Sequence, residues 1–183
     1  VAAVEFERFG PATSAFYNFL VSIGAFEWAY AASLKAVKRL VPPGGRLLEI
    51  GPGVGALLKK LISAGYDAVG VDASPPMLRY SRAKGVSVAG VSFLLPLRGE
   101  AFDAAVALFT LHHWGDHGPS LREVKRVLKP GGYFLVVEAD QARMPLVGSH
   151  GCTVRCLRDV LSAEFDVAVE RRFPLLFAVA RKP

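Results

Sequence analysis

Three glycines alternate in Gly51-Pro52-Gly53-Val54-Gly55, directly after the apolar run Leu47–Ile50. A helical pattern follows, with Leu57, Leu58, Leu61 and Ile62 on one face. Strand, glycine turn and helix in this order are how a parallel sheet presents bare backbone N–H groups to a ligand. Glycine permits close approach and unusual φ, and a helix start carries unpaired donors. Glu49, two residues before the first glycine, adds a carboxylate at the strand's end. That charge repels a pyrophosphate and suits a cationic or hydroxyl-bearing ligand.

Strands and helices alternate onward from this turn. Strands are expected over 46–51, 67–72, 86–89, 103–109 and 132–139, and helices over 55–64, 76–84 and 117–128. The last helix carries Leu121, Val124, Val127 and Leu128 on one face and basic residues on the other. Unbroken apolar runs such as 104–109 and 134–137 suit strands covered on both faces, as in a parallel sheet flanked by helices. Lys129-Pro130-Gly131-Gly132 reads as a helix stop and turn feeding the next strand.

Upstream, residues 13–41 read as helical with a break near Gly24, stopped by Pro42-Pro43-Gly44-Gly45. Downstream, a helix over 153–164 leads to two closely spaced strands, 165–172 and 175–181. These are too near for a parallel crossover and should pair antiparallel. At 183 residues, with 52% hydrophobic and 21% charged residues, the chain is expected to form one globular domain. Residues 1–43 would be a helical cover, 44–140 the ligand-binding core, and 141–183 a helix and strand pair.

The net charge of +6 is spread along the chain and reads as solvated helix faces, not as a nucleic-acid tract. Phe16 to Leu34 carries one charge, Glu27, but Asn18, Ser22, Gly24 and Ser33 interrupt it. A helix covering a pocket or docking on the sheet fits it better than a membrane span. With no basic-then-apolar leader pattern, the expected compartment is cytoplasmic. Cys152 and Cys156 are read as ordinary, partly buried thiols.

Asp72 closes the second strand, 21 residues beyond Gly51. A carboxylate there can accept two ribose hydroxyls, and it can also cap the helix that follows Asp72-Ala73-Ser74-Pro75. Gly51-x-Gly53-x-x-Ala56 with Asp72 equally fits the dinucleotide fingerprint of nicotinamide enzymes. Together these features point to a nucleoside-containing ligand and leave its identity open.

The wider pattern is more specific. Leu-Leu-Glu-Ile-Gly-Pro-Gly-Val-Gly (47–55) resembles motif I of the class I S-adenosylmethionine-dependent methyltransferases. Val-Gly-Val-Asp-Ala-Ser-Pro-Pro-Met-Leu (69–78) resembles that family's acidic second-strand motif. The segments 95–114, ending Leu-His-His-Trp, and 121–138, holding Lys-Pro-Gly-Gly, resemble its fourth- and fifth-strand motifs. The resemblance is strong over 44–140 and moderate in the tail. It implies a Rossmann-like, doubly wound α/β fold of seven strands, mostly parallel with an antiparallel C-terminal strand. It implies S-adenosylmethionine as cofactor and S-adenosylhomocysteine as product.

Carried over by position, the resemblance assigns Glu49 and the backbone of Gly51, Pro52, Gly53 and Gly55 to the methionine moiety. It assigns Asp72 to the ribose and Ala73 with Ser74 to the adenine border. Phe109, Thr110 and Leu111 would lie beside the sulfonium. Many relatives carry Gly-Asp where this chain has Gly90-Val91. The adenine contact would then fall to the backbone of Val91 or Ser92, or to Arg98 or Glu100.

Methyl transfer needs alignment and water exclusion more than a catalytic cluster. His112 and His113 are the general-base candidates, with Glu138 and Asp140 as further polar residues. His112, His113 and His117 do not space themselves for a metal, and none is expected. The aromatic N-terminal segment, Phe6, Phe9, Phe16, Tyr17, Phe19, Phe26, Trp28 and Tyr30, is the candidate cover over the acceptor. A small-molecule or lipid-like acceptor is expected. RNA or protein methylation and non-catalytic binding of S-adenosylmethionine are the alternatives, and oligomeric state is left open.

Overall fold

The computed structural model describes residues 9–144 and 150–183. Strands β1 Arg46–Ile50, β2 Asp67–Asp72, β3 Val86–Ala89, β4 Phe102–Leu108 and β5 Leu128–Ala139 run parallel. Strands β6 Asp166–Arg172 and β7 Leu175–Arg181 complete a seven-stranded sheet in the order β3-β2-β1-β4-β5-β7-β6. β7 alone runs against the direction of the other strands, pairing antiparallel with β5 on one side and β6 on the other. The expected Rossmann-like sheet, with its close antiparallel tail pair, is the one observed. The order reverses between β1 and β4, so their carboxyl ends open a crevice at the topological switch point.

Helices α1 Pro11–Ser22, α2 Glu27–Leu40, α3 Ala56–Ser63, α4 Pro75–Ser81, α5 His117–Val127 and α6 Val154–Leu161 surround the sheet. Neighbouring strand residues face opposite sides, which separates two apolar layers. Leu48, Ala105, Phe134 and Val136 meet Leu121 and Val124 of α5 and Leu157 and Leu161 of α6. Leu47, Ala104, Val106 and Leu135 meet Val37 of α2 and Leu57, Leu58 and Leu61 of α3. Trp114 stacks on Phe134 at 5.9 Å, and Phe134 meets Phe165 at 6.0 Å. Glu49 shares a face with Leu47, so its carboxylate looks toward the N-terminal helices.

The break near Gly24 occurs as expected. Gly24 adopts φ 79° between α1 and α2, and no described helix is long and apolar enough to cross a membrane. Two expectations need correction. Lys129–Gly132 does not separate α5 from the strand. β5 begins at Leu128 opposite Phe102, and the register then jumps so that Ala104 faces Tyr133. The four residues bulge out of the ladder, with Gly131 at φ 71° and Lys129 reaching Asp103 at 2.7 Å.

Cys152 and Cys156 are joined as a disulfide, not kept as thiols. Thr153 caps α6 by accepting from Cys156 N at 3.0 Å. Cys152 therefore sits just ahead of the cap, and its partner lies in the first turn. This spacing sets the two Cα atoms 5.9 Å apart, within the range a disulfide spans.

Asp116 caps α5, its Oδ1 accepting from Gly118 N at 3.0 Å. Asp116→Ala is expected to lower stability by about 1 kcal/mol, read as a shifted urea midpoint with unchanged slope. No loss would mean that the packed face of α5 makes the cap redundant.

Candidate functional site

A cavity of about 560 Å³ lies at the carboxyl ends of β1, β2 and β4. Its floor is the glycine turn. Gly51 adopts φ 71°, and a Cβ there would lie 2.4 Å from Thr110 Oγ1. Side chains are thus excluded where the backbone of β1 approaches the end of β4. Gly55 has a different task. At φ 78° it starts α3, and a Cβ would press on the Ser81 backbone at 2.9 Å.

Asp72 ties this turn to the next strand. Its Oδ2 accepts from Gly53 N at 3.0 Å and its Oδ1 from Ser74 N at 2.8 Å. Burial pushes its carboxyl above the ordinary value, and the two backbone donors pull it part of the way back. Each oxygen keeps a lone pair for a further donor. Ser74 in turn accepts from Phe9 N at 2.9 Å through its hydroxyl.

Glu49 is 3% exposed, and its Oε2 has no hydrogen-bond partner among the described residues. Burial, with the Asp72 charge as the lesser cause, pushes its carboxyl up to about 8. A buried carboxylate without a partner is costly, yet this one faces a cavity. Tyr17 and Tyr30 close the same wall, their hydroxyls 3.2 Å apart, and burial raises both phenols. Phe26 stacks on Tyr17 at 5.5 Å and meets Phe109 edge-on at 6.4 Å.

Phe109 adopts φ 52° at the end of β4, with its N–H on Val137 O at 2.9 Å. Left-handed backbone at a bulky residue is strained, and such strain gathers at functional sites. It turns the chain into a short 3₁₀ segment, Leu111–His113. Glu138, fully buried on β5, holds that segment from behind. Its Oε1 accepts from Leu111 N at 2.9 Å, and its Oε2 lies 3.0 Å from His112 Nδ1.

Of the residues expected at the site, Glu49, Gly51, Pro52, Gly53, Asp72, Ala73, Ser74, Ser92, Phe109, Thr110, His112 and His113 line the cavity. Gly55, Val91 and Leu111 do not. Gly55 packs on α4, Val91 forms an isolated bridge with Leu94, and Leu111 is a core residue at 2% exposure. Arg98 and Glu100 are also absent from the cavity lining. Gly90 and Ser92 do border the cavity, and Ser92 Oγ lies 2.8 Å from Ser120 Oγ. Glu138 acts from behind His112, and buried Asp140 pairs with Arg171 at 2.8 Å.

Phe9, Tyr17, Phe26, Trp28 and Tyr30 supply the N-terminal wall. Phe16 and Phe19 point outward, at 62% and 56% exposed, and Phe6 lies outside the described residues. His150, Met144 and Leu175 also line the cavity and were not anticipated. His150 arrives because Cys152, two residues on, docks on the end of β5, with its N–H on Ala139 O at 3.1 Å and its carbonyl accepting from Gln141 N at 3.0 Å. His117 turns away, Nε2 donating to Leu111 O at 3.1 Å.

Residues 48–136 match the family model described as a methyltransferase domain. The chain is 39% identical over 111 residues to a demethylmenaquinone methyltransferase of Corynebacterium kroppenstedtii, covering 60% of this chain and 48% of that one. It is 34% identical over 131 residues to a protein of the same name from Thermus thermophilus, covering 66% and 58%. The chain thus spans about half the length of these curated relatives. A SAM-dependent methyltransferase structure from Thermotoga maritima superposes with TM-score 0.74 at 25% identity, over 92% of this chain and 95% of that one. The fold also matches a Haemonchus contortus phosphoethanolamine N-methyltransferase in complex with S-adenosyl-L-methionine, with TM-score 0.69 at 18% identity, over 84% and 52%. Sheet order, cavity position and matched core agree: the chain carries a methyltransferase domain of the class I, S-adenosylmethionine-dependent family.

Proposed function

We propose that this protein transfers a methyl group from S-adenosylmethionine to a small, lipid-like acceptor held in the aromatic end of the cavity. The observation that carries the reading is Glu49, a buried carboxylate with an unpartnered oxygen on the cavity wall. An ammonium is the group that would make its ionised form favourable. In this reading Glu49 takes the amino group and the Gly51–Gly53 backbone cradles the methionine portion. Asp72 accepts the ribose hydroxyls, while Ala73, Ser74, Gly90 and Ser92 border the adenine.

Bound there, the cofactor supplies a methyl group already activated on a sulfonium. The chain's own task is to align the acceptor, exclude water and ease loss of its proton. Phe9, Phe26 and Trp28 shield the cavity from one side, and Met144 and Leu175 add apolar wall. These residues favour a flat, apolar acceptor, in keeping with the names of the curated relatives. His112 and His113 form the polar end, where an acceptor hydroxyl would become more acidic.

The direct test is transfer of labelled methyl from S-adenosylmethionine into a bacterial extract separated into lipid, small-molecule, RNA and protein fractions. Label in a quinone-containing lipid fraction is expected. Label confined to RNA or protein would overturn the acceptor class, and cofactor binding without label in any fraction would leave a binding protein.

A further inference from the structure

His112, His113 and His150 each offer a ring nitrogen, and the three nitrogens lie within 4.8 Å of one another. The rings of His112 and His113 are 4.0 Å apart between centroids, and His150 is 5.6 and 6.0 Å from them. We infer that these three imidazoles form a binding site for a divalent transition-metal ion of the zinc class, at the acceptor end of the cavity. The inference refines the role given above to the histidines, but ion binding itself does not depend on methyl transfer.

Imidazole suits zinc and its first-row neighbours, and three histidines with one open position are a recognised ligand set for a reactive zinc ion. His112 also has the support that metal-bound histidines use. The fully buried Glu138 sits on its Nδ1 at 3.0 Å, which fixes the tautomer and leaves Nε2 for an ion. Glu138 is itself held by Leu111 N at 2.9 Å, so the second layer is built and rigid. A tetrahedral ion with bonds of about 2.0–2.1 Å holds its nitrogens about 3.4 Å apart. The imidazoles must therefore draw in by about an ångström, which side-chain rotation supplies, above all at exposed His150.

Spacing along the chain argued against a metal because His117 cannot join His112 and His113. His117 is indeed committed to Leu111 O. The third imidazole is His150, delivered from the far side of the cavity by the docking of Cys152 on β5. All three line the cavity, so the remaining coordination position opens into the space assigned to the acceptor. The class of ligand it suits is an oxygen anion, such as the ionised hydroxyl of a phenol or quinol.

The test is calorimetric titration of the untagged chain with zinc chloride, without reductant, paired with the absorption spectrum after cobalt(II) is added. One ion per chain is expected, with cobalt bands of a four-coordinate nitrogen–oxygen site and no sulfur charge-transfer band. His112→Ala and His150→Ala should each weaken zinc by at least about tenfold, and Glu138→Gln by roughly 10–100-fold. Absence of saturable binding, wild-type affinity in the His150→Ala variant, or a sulfur band from Cys152 and Cys156 would each overturn the site. S-adenosylhomocysteine titrated into the same His150→Ala protein should bind as in wild type. That measurement separates a failed metal site from a failed cofactor reading, and shows that the variant has folded.

Discussion

Asp72→Asn is expected to weaken S-adenosylhomocysteine binding by about 2–3 kcal/mol, a factor of roughly 30–150. The carboxylate accepts from Gly53 N and Ser74 N and still has lone pairs to offer two hydroxyls. An amide has one acceptor oxygen, so its NH2 group must face a backbone donor or a ribose hydroxyl. Calorimetric titration reads the effect, and a urea melt of the ligand-free variant reads the separate cost to the turn. A variant that melts earlier but binds as before would make Asp72 a builder of the loop and not a ligand contact.

Affinity for S-adenosylhomocysteine is expected to rise with pH, approaching tenfold per unit between about pH 6 and 7.5. The sign follows from Glu49. Its carboxyl is pushed up to about 8 in the ligand-free protein, so below that pH it carries a proton that the ligand's ammonium must expel. Proton release then makes the binding enthalpy depend on the ionisation heat of the buffer. Glu49→Gln should abolish both the pH slope and the buffer dependence, and should lower affinity at pH 7.5 by tenfold or more. Above about pH 8 the slope should vanish, as Glu49 is then ionised and the ligand's own amino group begins to lose its proton.

The same shift sets a stability trend. Because Glu49 titrates higher in the folded chain than in the unfolded one, its contribution is fully present below about pH 4.5. It is lost as pH rises through about 8. Ligand-free Glu49→Gln should therefore be the more stable protein at pH 8. A pH-independent affinity in wild type would sink the ammonium role. Asp72→Asn adds a cross-check, since removing that neighbouring charge should move the pH slope to lower values.

The sheet was legible because its central strands are buried on both faces and leave unbroken apolar runs, as at 104–109 and 134–137. The glycine-turn end of the cavity was legible for a related reason. It is built from one strand–turn–helix unit and the next strand's end, so Glu49, Gly51, Gly53 and Asp72 lie within one stretch of chain. What escaped depends on contacts between distant segments. His150 joins His112 where Cys152 pairs with the end of β5, and no local pattern marks it. The disulfide escaped because a four-residue spacing alone does not show that Thr153 caps α6 between Cys152 and Cys156. Val91 looked like a weakened contact. Its bridge to Leu94 turns it away from the cavity and leaves the border to Gly90 and Ser92.

The N-terminal wall has a kinetic consequence. Among the twelve residues of α1, Ser14 alone is buried, while β4 and β5 are buried along most of their length. Among the described residues, Phe9 N–Ser74 Oγ and the Tyr17–Tyr30 hydroxyl pair tie this wall over the cavity. A segment so lightly anchored detaches at a small fraction of the cost of global unfolding. Departure of spent cofactor is therefore expected to follow the lifting of α1, making turnover sensitive to solvent viscosity more than to acceptor chemistry. Amide exchange should be fast in α1, slow in β4 and β5, and slowed selectively in α1 when S-adenosylhomocysteine is bound.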